Sequence, residues 1–213
     1  MDTQTVKSSR NRLLADTVMN GLRSRNMSGY YTESKEEALA AALRLIPEGS
    51  RVAMGGCMSA YEIGLVDALK NGSYHFIDYE DDRDPRETEL QAYDADVYLS
   101  SANAMTEGGI LVNIDGNSNR VSALAYGPKK VIVICSLNKV CPDLDLALKR
   151  ARNTAAPLNA VRYGGIRTVP CQKTGTCADC LIPDTLCCQF LVTRYSRHAG
   201  RIHVILVGEA LGF

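Results

Sequence analysis

Helical and strand patterns alternate along most of this 213-residue chain, and that alternation constrains the fold more than any other feature. Apolar residues recur at helical spacing over residues 9–25, and the Ser34–Glu37 capping box begins a second predicted helix. The run Val131–Cys135 is apolar throughout, which is typical of a strand buried on both faces of a parallel sheet. We therefore predict an α/β fold over residues 1–213, a single domain with a mostly parallel central sheet flanked by helices.

Other segments extend the same pattern. Arg51–Met54 is a short predicted strand, and the helix that follows should run from Ser59, in a second capping box, to about Lys70. Asp143 should cap a helix that ends near Asn153, before Pro157. Strands predicted over Gln189–Thr193 and Ile202–Val207 would form a terminal hairpin. The charged segment Asp78–Arg86 is predicted to be a solvated loop.

A cysteine-rich loop precedes this last pair of strands. Its spacing is C-x5-C-x2-C-x6-C-C over residues 171–188, and a C-x-x-C pair lets two thiolates approach one ion. Adjacent residues of an extended chain point in opposite directions, so the last two cysteines can hardly face one centre. We predict one zinc or iron–sulfur site, with Cys188 left over and with four ligands: Cys171, Cys177, Cys180 and Cys187. A redox dithiol and reduced thiols without a ligand are the open alternatives.

Composition excludes several partners. The formal charge is zero, with three Phe and no Trp, so the chain lacks the basic or stacking surface that nucleic acid requires. No segment has the apolar run of a signal peptide or of a membrane span, so we predict a cytoplasmic protein without a membrane partner. In that compartment the thiols stay reduced. The oligomeric state stays open.

The turn after Arg51–Met54 is a candidate anion site. Gly55 and Gly56 lead into the predicted helix at Ser59, where free N–H groups and the positive helix end favour a carboxylate or phosphate. A tight turn that simply needs glycine explains the same residues. Neither a P-loop nor a dinucleotide fingerprint is present, so no nucleotide cofactor is predicted. Cys57 in this turn is predicted to be an inert buried thiol.

A second group of polar residues follows the later strands. Glu107 precedes Gly108-Gly109, and an accessible carboxylate at a strand end can be a general base or a nucleophile. Asn138 and Lys139 follow Val131–Cys135, at the edge of the sheet where α/β folds bind ligands. Ordinary turn residues and a solvated lysine are the alternatives. We predict a ligand site shared with the Gly55 turn, whose further members are Asn103, Asn113, Asn119 and Arg120.

The residues in these loops also carry a family resemblance. The run Ser101–Arg120, SANAMTEGGILVNIDGNSNR, with Tyr126–Lys130 (YGPKK) and Asn138-Lys139, resembles the lactate-utilisation (LUD) domain. The resemblance implies the fold of sugar-phosphate isomerases and CoA transferases, and an association with the oxidation of lactate to pyruvate. The cysteine segment is similar to a short bacterial branch of that family. In the pattern P-C-x5-C-x-D-C-x-S-P-x-R-I-C, Ile182 replaces the Ser and Thr185 the Arg, and Cys188 is an extra cysteine.

Two functions follow from these observations. One is an enzyme that uses Glu107 on a small carboxylate, an acyl-CoA or a phosphorylated sugar; acyl or CoA transfer and isomerase-like chemistry are implied by the resemblance alone. The other is a non-catalytic redox or metal-binding accessory of a larger oxidoreductase, which works through the cysteine loop. Turnover that disappears in Glu107→Gln would favour the enzyme. A reversible redox signal that survives this change would favour the accessory protein.

Overall fold

The computed structural model describes residues 2–78, 85–166 and 168–213, so most of the charged segment 78–86 lies outside the described residues. Strands and helices alternate along these residues, as predicted. The strands are β1 Ser28–Thr32, β2 Arg51–Met54, β3 His75–Ile77, β4 Val97–Ser100, β5 Ala104–Thr106, β6 Leu111–Asp115, β7 Lys130–Ser136, β8 Val140–Cys141, β9 Gln189–Thr193 and β10 Ile202–Val207. The helices are α1 Thr3–Ser24, α2 Lys35–Leu45, α3 Met58–Glu62, α4 Leu65–Asn71, α5 Pro85–Gln91, α6 Asn119–Tyr126, α7 Leu144–Arg150, α8 Ala156–Arg162 and α9 Pro170–Thr174.

Six parallel strands form the central sheet in the order β1-β10-β7-β4-β2-β3. Successive residues of β7 pack into two separate cores, with Val131 and Val133 on one face and Ile132 and Ile134 on the other. Because both faces are covered, the strand needs apolar residues at every position. The predicted α/β fold with a mostly parallel central sheet is confirmed. None of the helices in the described part of the chain is long and apolar enough to cross a membrane.

A smaller mixed sheet, β8-β5-β6-β9, lies beside the central one. β9 pairs antiparallel with β6, whereas β10 lies between β1 and β7. The predicted hairpin of β9 and β10 is therefore wrong. Five of the six positions of β10 are buried, while three of the five positions of β9 are exposed. β10 thus belongs in a sheet that is covered on both faces, whereas β9 belongs at the edge of a sheet.

Helix boundaries differ from prediction at three places. α1 begins at Thr3, six residues before the apolar pattern, because the Asp2 side chain accepts hydrogen bonds from the first-turn N–H groups. The predicted Ser59–Lys70 helix is split into α3 and α4 by Gly64, whose φ of 77° is left-handed. Ser59 is accordingly not a cap, since the N-cap of α3 is Cys57. The predicted end before Pro157 is also wrong: a π-helical turn, Ala151–Ala155, continues into α8, whose first turn contains the proline.

The predicted cap of α7 is confirmed and gives a test of local stability. Asp143 Oδ1 accepts a hydrogen bond of 2.8 Å from the N–H of Leu146. Asp143→Ala removes this acceptor, so we expect the free energy of unfolding to fall by about 1 kcal/mol. The measurement is urea denaturation, and Asp145→Ala, at an exposed position in the same turn, is the matched control. An equal loss in both variants would contradict the capping role.

Candidate functional site

A cavity of about 330 Å³ opens where the strands of the central sheet end. Gly55 and Gly56 follow β2, Ser101 follows β4 and Lys139 follows β7, so all reach the cavity from the carboxyl edge of the sheet. Parallel α/β sheets bind their ligands at this edge. The polar residues and glycines of the cavity wall include Gly55, Gly56, Ser59, Ser101, Asn103, Asp115, Asn119, Arg120, Lys139 and Arg162.

Lys139 is the most unusual of these residues. It is only 2% exposed, and its Nζ donates hydrogen bonds to Ser101 Oγ at 3.0 Å and to Ser59 Oγ at 3.4 Å. Among the residues that the structure describes, no carboxylate forms an ion pair with it. Burial lowers the pKa of this ammonium, since a charge loses hydration in the interior. Lys139 is thus a buried cation whose nearest polar partners are neutral hydroxyls.

Two buried thiols near Lys139 do not neutralise it. Burial raises the pKa of Cys57 to about 11 and also raises that of Cys135, although the positive charge of Lys139 opposes both shifts. Both groups are therefore uncharged thiols at neutral pH. This agrees with the prediction that Cys57 is a buried thiol, and it leaves the positive charge of Lys139 uncompensated on this side.

Arg120 also faces the cavity, but it is already paired. Its Nε lies 3.7 Å from Asp115 Oδ2, and its guanidinium donates to the carbonyl oxygen of Ile114. Asp115 in turn accepts hydrogen bonds from three backbone N–H groups at the start of α6. The ion pair of Arg120 and Asp115 therefore holds this part of the wall in place. The guanidinium of Arg120 also presents a positive charge to the cavity.

Gly55 makes room for this arrangement. A Cβ atom there would lie 2.1 Å from Tyr98 Oη and 2.7 Å from Arg120 Cγ. The packing explanation for this glycine, which the sequence left open, thus has a physical basis. The backbone N–H groups of Gly56, Cys57 and Met58 donate to no acceptor among the described residues. The turn therefore retains free donors, although α3 is only five residues long.

Gly55→Ala should damage both the fold and the site. The added methyl must displace Tyr98 or Arg120, so we expect a loss of about 2–3 kcal/mol in the free energy of unfolding. Gly116→Ala is the matched control, because it lies on the same wall and its Cβ would meet its nearest neighbour at 3.5 Å. Urea denaturation of the two variants checks the difference. Equal stability would show that the Gly55 turn is not packed as described.

Arg162 lies on the cavity wall and was not predicted from the sequence. Its Nε donates to Asn159 Oδ1 at 3.1 Å, and its guanidinium lies 4.9 Å from the centre of the Tyr163 ring. None of the described carboxylates forms an ion pair with it. Sequence reasoning missed it because the helix was ended before Pro157. Proline is tolerated in the first turn of a helix, and applying that rule to Pro157 would have predicted α8.

The predicted asparagines mostly support the walls. Asn103 and Asn119 line the cavity, but their side chains bond to the Ile114 N–H and to Glu89 Oε1. Asn113 is fully buried outside the lining, where Nδ2 donates to the carbonyl of Ser101 at 2.8 Å. Asn138 also lies outside the lining and donates to the carbonyl of Leu211 at 3.5 Å. These side chains orient the loops that carry the site.

Glu107 is not among the residues that line the cavity. It lies in the turn between β5 and β6, where its N–H donates to the carbonyl of Cys141 at 2.8 Å. The next residue, Gly108, packs on α1 and accepts a hydrogen bond from Arg25. The expected grouping of Glu107 with the Gly55 turn is therefore not seen, because β5, a strand that was not predicted, carries the turn away. The catalytic role of Glu107 stays a prediction.

The cysteine loop forms another part of the cavity wall. Cys188 lines the cavity, and its N–H donates to the carbonyl of Asp115 at 2.8 Å. Cys187 instead packs beside a small apolar cluster. Burial raises its pKa to about 11, and the charges of three further cysteines add to the shift; these are Cys171, Cys177 and Cys180. Cys187 therefore lies near enough to these three cysteines for their charges to act on it, and Cys188 does not act on it in this way.

The proximity of these cysteines does not amount to a metal site. Within residues 2–78, 85–166 and 168–213, no three side chains of His, Cys, Asp or Glu are arranged so that they could hold a metal ion. Arg152 donates to Cys177 Sγ at 3.5 Å and pairs with Asp179, so a cation already contacts one of the sulfurs. A shared metal centre would require the loop to rearrange, and it stays a prediction.

Comparison with known proteins identifies the family. The profile of the LUD domain matches residues 15–207, and no curated protein matches the chain. The crystal structure of a DUF162 family protein from Deinococcus radiodurans is similar, with a TM-score of 0.54 and 12% identity over 93% of this chain and 98% of that one. The crystal structure of eIF2B delta from Chaetomium thermophilum has a TM-score of 0.38 and 17% identity over 55% of this chain and 54% of that one. Because the profile match spans nearly all of the sequence, the chain belongs to the LUD domain family.

Proposed function

We propose that this protein binds a small anionic metabolite in the cavity at the carboxyl edge of the sheet. The ligand is a carboxylate, in keeping with the lactate utilisation for which the family is named, or a compound with a phosphate or acyl-CoA group. The observation that carries the proposal is the buried ammonium of Lys139, which has no carboxylate partner among the described residues. The negative charge of Glu62 favours the ammonium but forms no ion pair with it. A buried charge without such a pair is costly, and such groups are concentrated in functional sites.

Other features of the cavity fit the same ligand. Arg162 adds a second cation without an ion-pair partner in the described part of the chain. The hydroxyls of Ser59 and Ser101 and the free N–H groups near Gly56 supply neutral donors to oxygen atoms. A cavity of about 330 Å³ lies at the lower end of the range for small-molecule sites. The adenine part of an acyl-CoA would therefore have to extend outside.

Binding measurements test the proposal directly. Isothermal titration with lactate, pyruvate, ribose 5-phosphate and acetyl-CoA should give saturable binding for at least one anion. Lys139→Met should remove that binding, whereas Lys149→Met, at an exposed position of α7, should keep it. If no anion binds the wild-type protein, or if Lys139→Met binds as well as the wild type, the proposal is wrong.

Glu107→Gln should bind the same anion as tightly as the wild-type protein, because the side chain lies outside the cavity. We expect dissociation constants that agree within the error of the titration. A large loss of affinity would place Glu107 in contact with the ligand. If affinity is unchanged but turnover with a substrate is lost, the predicted catalytic role of Glu107 is supported instead.

We also propose a second function for the cysteine loop, a metal or redox centre that serves a partner oxidoreductase. The electrostatic coupling of four cysteines in a short segment supports it. Protein purified without oxygen should contain zinc or iron, and Cys180→Ser should lose it while Cys188→Ser retains it, since Cys188 lines the anion cavity instead. Elemental analysis with a visible spectrum gives the result. Wild-type protein without zinc or iron would show that these residues are free thiols.

A further inference from the structure

Lys139 has the surroundings of a nucleophilic amine as well as those of an anion-binding cation. The cavity wall already carries two arginines, Arg120 and Arg162, which stay protonated in proteins. Lys139 is the cation of this wall that can lose its proton when it is buried, and burial does lower its pKa. A desolvated lysine of this kind is the form that attacks carbonyl compounds.

The immediate neighbours of the amine suit that reaction. Its two hydrogen-bond partners, Ser59 and Ser101, are hydroxyls, which accept and donate protons without holding the amine as a charged pair. Gly212 lies over the amine, where a Cβ atom would be 3.1 Å from both Lys139 Nζ and Ser59 Oγ. Both carboxylate oxygens of Glu62 accept from the Gly212 N–H at 3.1 Å. The chain at Gly212 thus packs against the amine, while the absence of a side chain there leaves room beside Nζ.

We propose that Lys139 Nζ forms an imine with the carbonyl carbon of a small substrate that also carries a carboxylate or a phosphate. The proposal rests on the proposed function, since the same cavity must first bind the anionic group. Arg162 and Arg120 line the same cavity and stay charged, so they can hold that group once the amine has lost its proton and reacts with the carbonyl. The substrate class is therefore narrowed to oxo acids and to phosphorylated aldehydes or ketones.

The step needs no oxidant or reductant. The lone pair of Nζ forms the C–N bond, and the electron pair of the carbonyl π bond moves onto oxygen. That oxygen takes up the two protons that the amine loses, with the hydroxyls of Ser59 and Ser101 in place to pass them on. It then leaves as water while nitrogen forms the C=N bond. One amine and one carbonyl compound become one imine and one water.

Reductive trapping tests this step. Wild-type protein is treated with sodium borohydride in the presence of pyruvate or of dihydroxyacetone phosphate. Parallel samples contain lactate or glycerol 3-phosphate, which keep the anionic group but lack the carbonyl. We expect a stable adduct with one of the two carbonyl compounds and with neither alcohol. For pyruvate the added mass is that of pyruvic acid less one oxygen atom. Whichever compound reacts shows whether the anionic group is a carboxylate or a phosphate.

Peptide mapping of the trapped wild-type protein should place the adduct on Lys139, a result that does not depend on the folding of any variant. Lys149→Met should trap as the wild type does, and Lys139→Arg, which keeps a cation but lacks the amine, should not. If the carbonyl compound binds in titration but leaves no adduct on Lys139, the imine is wrong and the anion site stands. If no anion binds at all, both proposals fail.

Discussion

Replacing Lys139 with methionine should make the folded protein more stable while it abolishes the binding of small anions. The charged group is buried without a carboxylate partner among the described residues, and an apolar side chain of similar length needs no hydration. We expect the free energy of unfolding at neutral pH to rise by about 2 kcal/mol. Urea denaturation measures the change, and calorimetric titration measures the loss of binding.

The pH dependence of stability should identify the same group. Burial lowers the pKa of Lys139 below its ordinary value of 10.5. Below the lowered pKa both the folded and the unfolded chains are protonated, and the cost of burial is fully present. As the pH rises from there to 10.5, the folded chain loses its proton first, so the unfolded chain binds more protons and the wild type gains stability.

The stability advantage of Lys139→Met over the wild type should therefore shrink across that alkaline range. Lys149→Met is again the control, because an exposed lysine should leave the stability within about 0.5 kcal/mol of the wild type at every pH. If Lys139→Met is less stable than the wild type at neutral pH, the ammonium is compensated in the folded protein. The argument for an anion site then loses its main support.

Gly109→Ala should destabilise the protein severely, because the turn that carries Glu107 is pressed against α1. Gly109 has a φ of 81°, and a Cβ atom there would lie 2.6 Å from the backbone nitrogen of Leu22 and 2.7 Å from the carbonyl carbon of Gly21. Backbone atoms cannot rotate away as side chains do. The left-handed conformation and the overlap together should lower the free energy of unfolding by about 3–5 kcal/mol.

Gly200→Ala separates the two causes. Gly200 has a φ of 71°, but a Cβ atom there meets nothing within 4 Å, so only the conformational cost of about 1–2 kcal/mol remains. The difference between the two variants in urea denaturation is the cost of the contact with α1. If both lose the same stability, the turn does not lie against the helix. Glu107 would then be free to approach the cavity.

The buried strands of the central sheet could be predicted from the sequence because their residues meet one requirement, whereas β1, with a single buried position, was not predicted. β7 is buried on both faces, so its apolar run was visible without any knowledge of its neighbours. The residues of β5 and β8, by contrast, form strands of only three and two residues. Such short strands depend on the pairing partners that the fold brings to them, and nothing in their own sequence specified them.

The sequence predicted those residues of the site that directly follow predicted strands. Gly55, Ser59 and Lys139 follow strands of the parallel sheet, Arg120 follows β6 of the smaller sheet, and all four share the cavity. Glu107 follows the unpredicted β5, so its position relative to that edge could not be known. Burial of Lys139 also escaped the sequence, because it arises from the segment around Gly212, which lies more than seventy residues away along the chain.

The order of strands in the central sheet imposes an order on folding. β10, the last strand in the sequence, lies between β7 and β1, the first. During synthesis the ribosome therefore releases β1 long before β10, its one neighbour in the sheet among the described residues, exists. Until residues 202–207 emerge, β1 has no partner strand and β7 has a bare edge. Parallel pairing between such distant segments is slow and leaves edges open to aggregation, so these edges stay exposed until β10 has been synthesised.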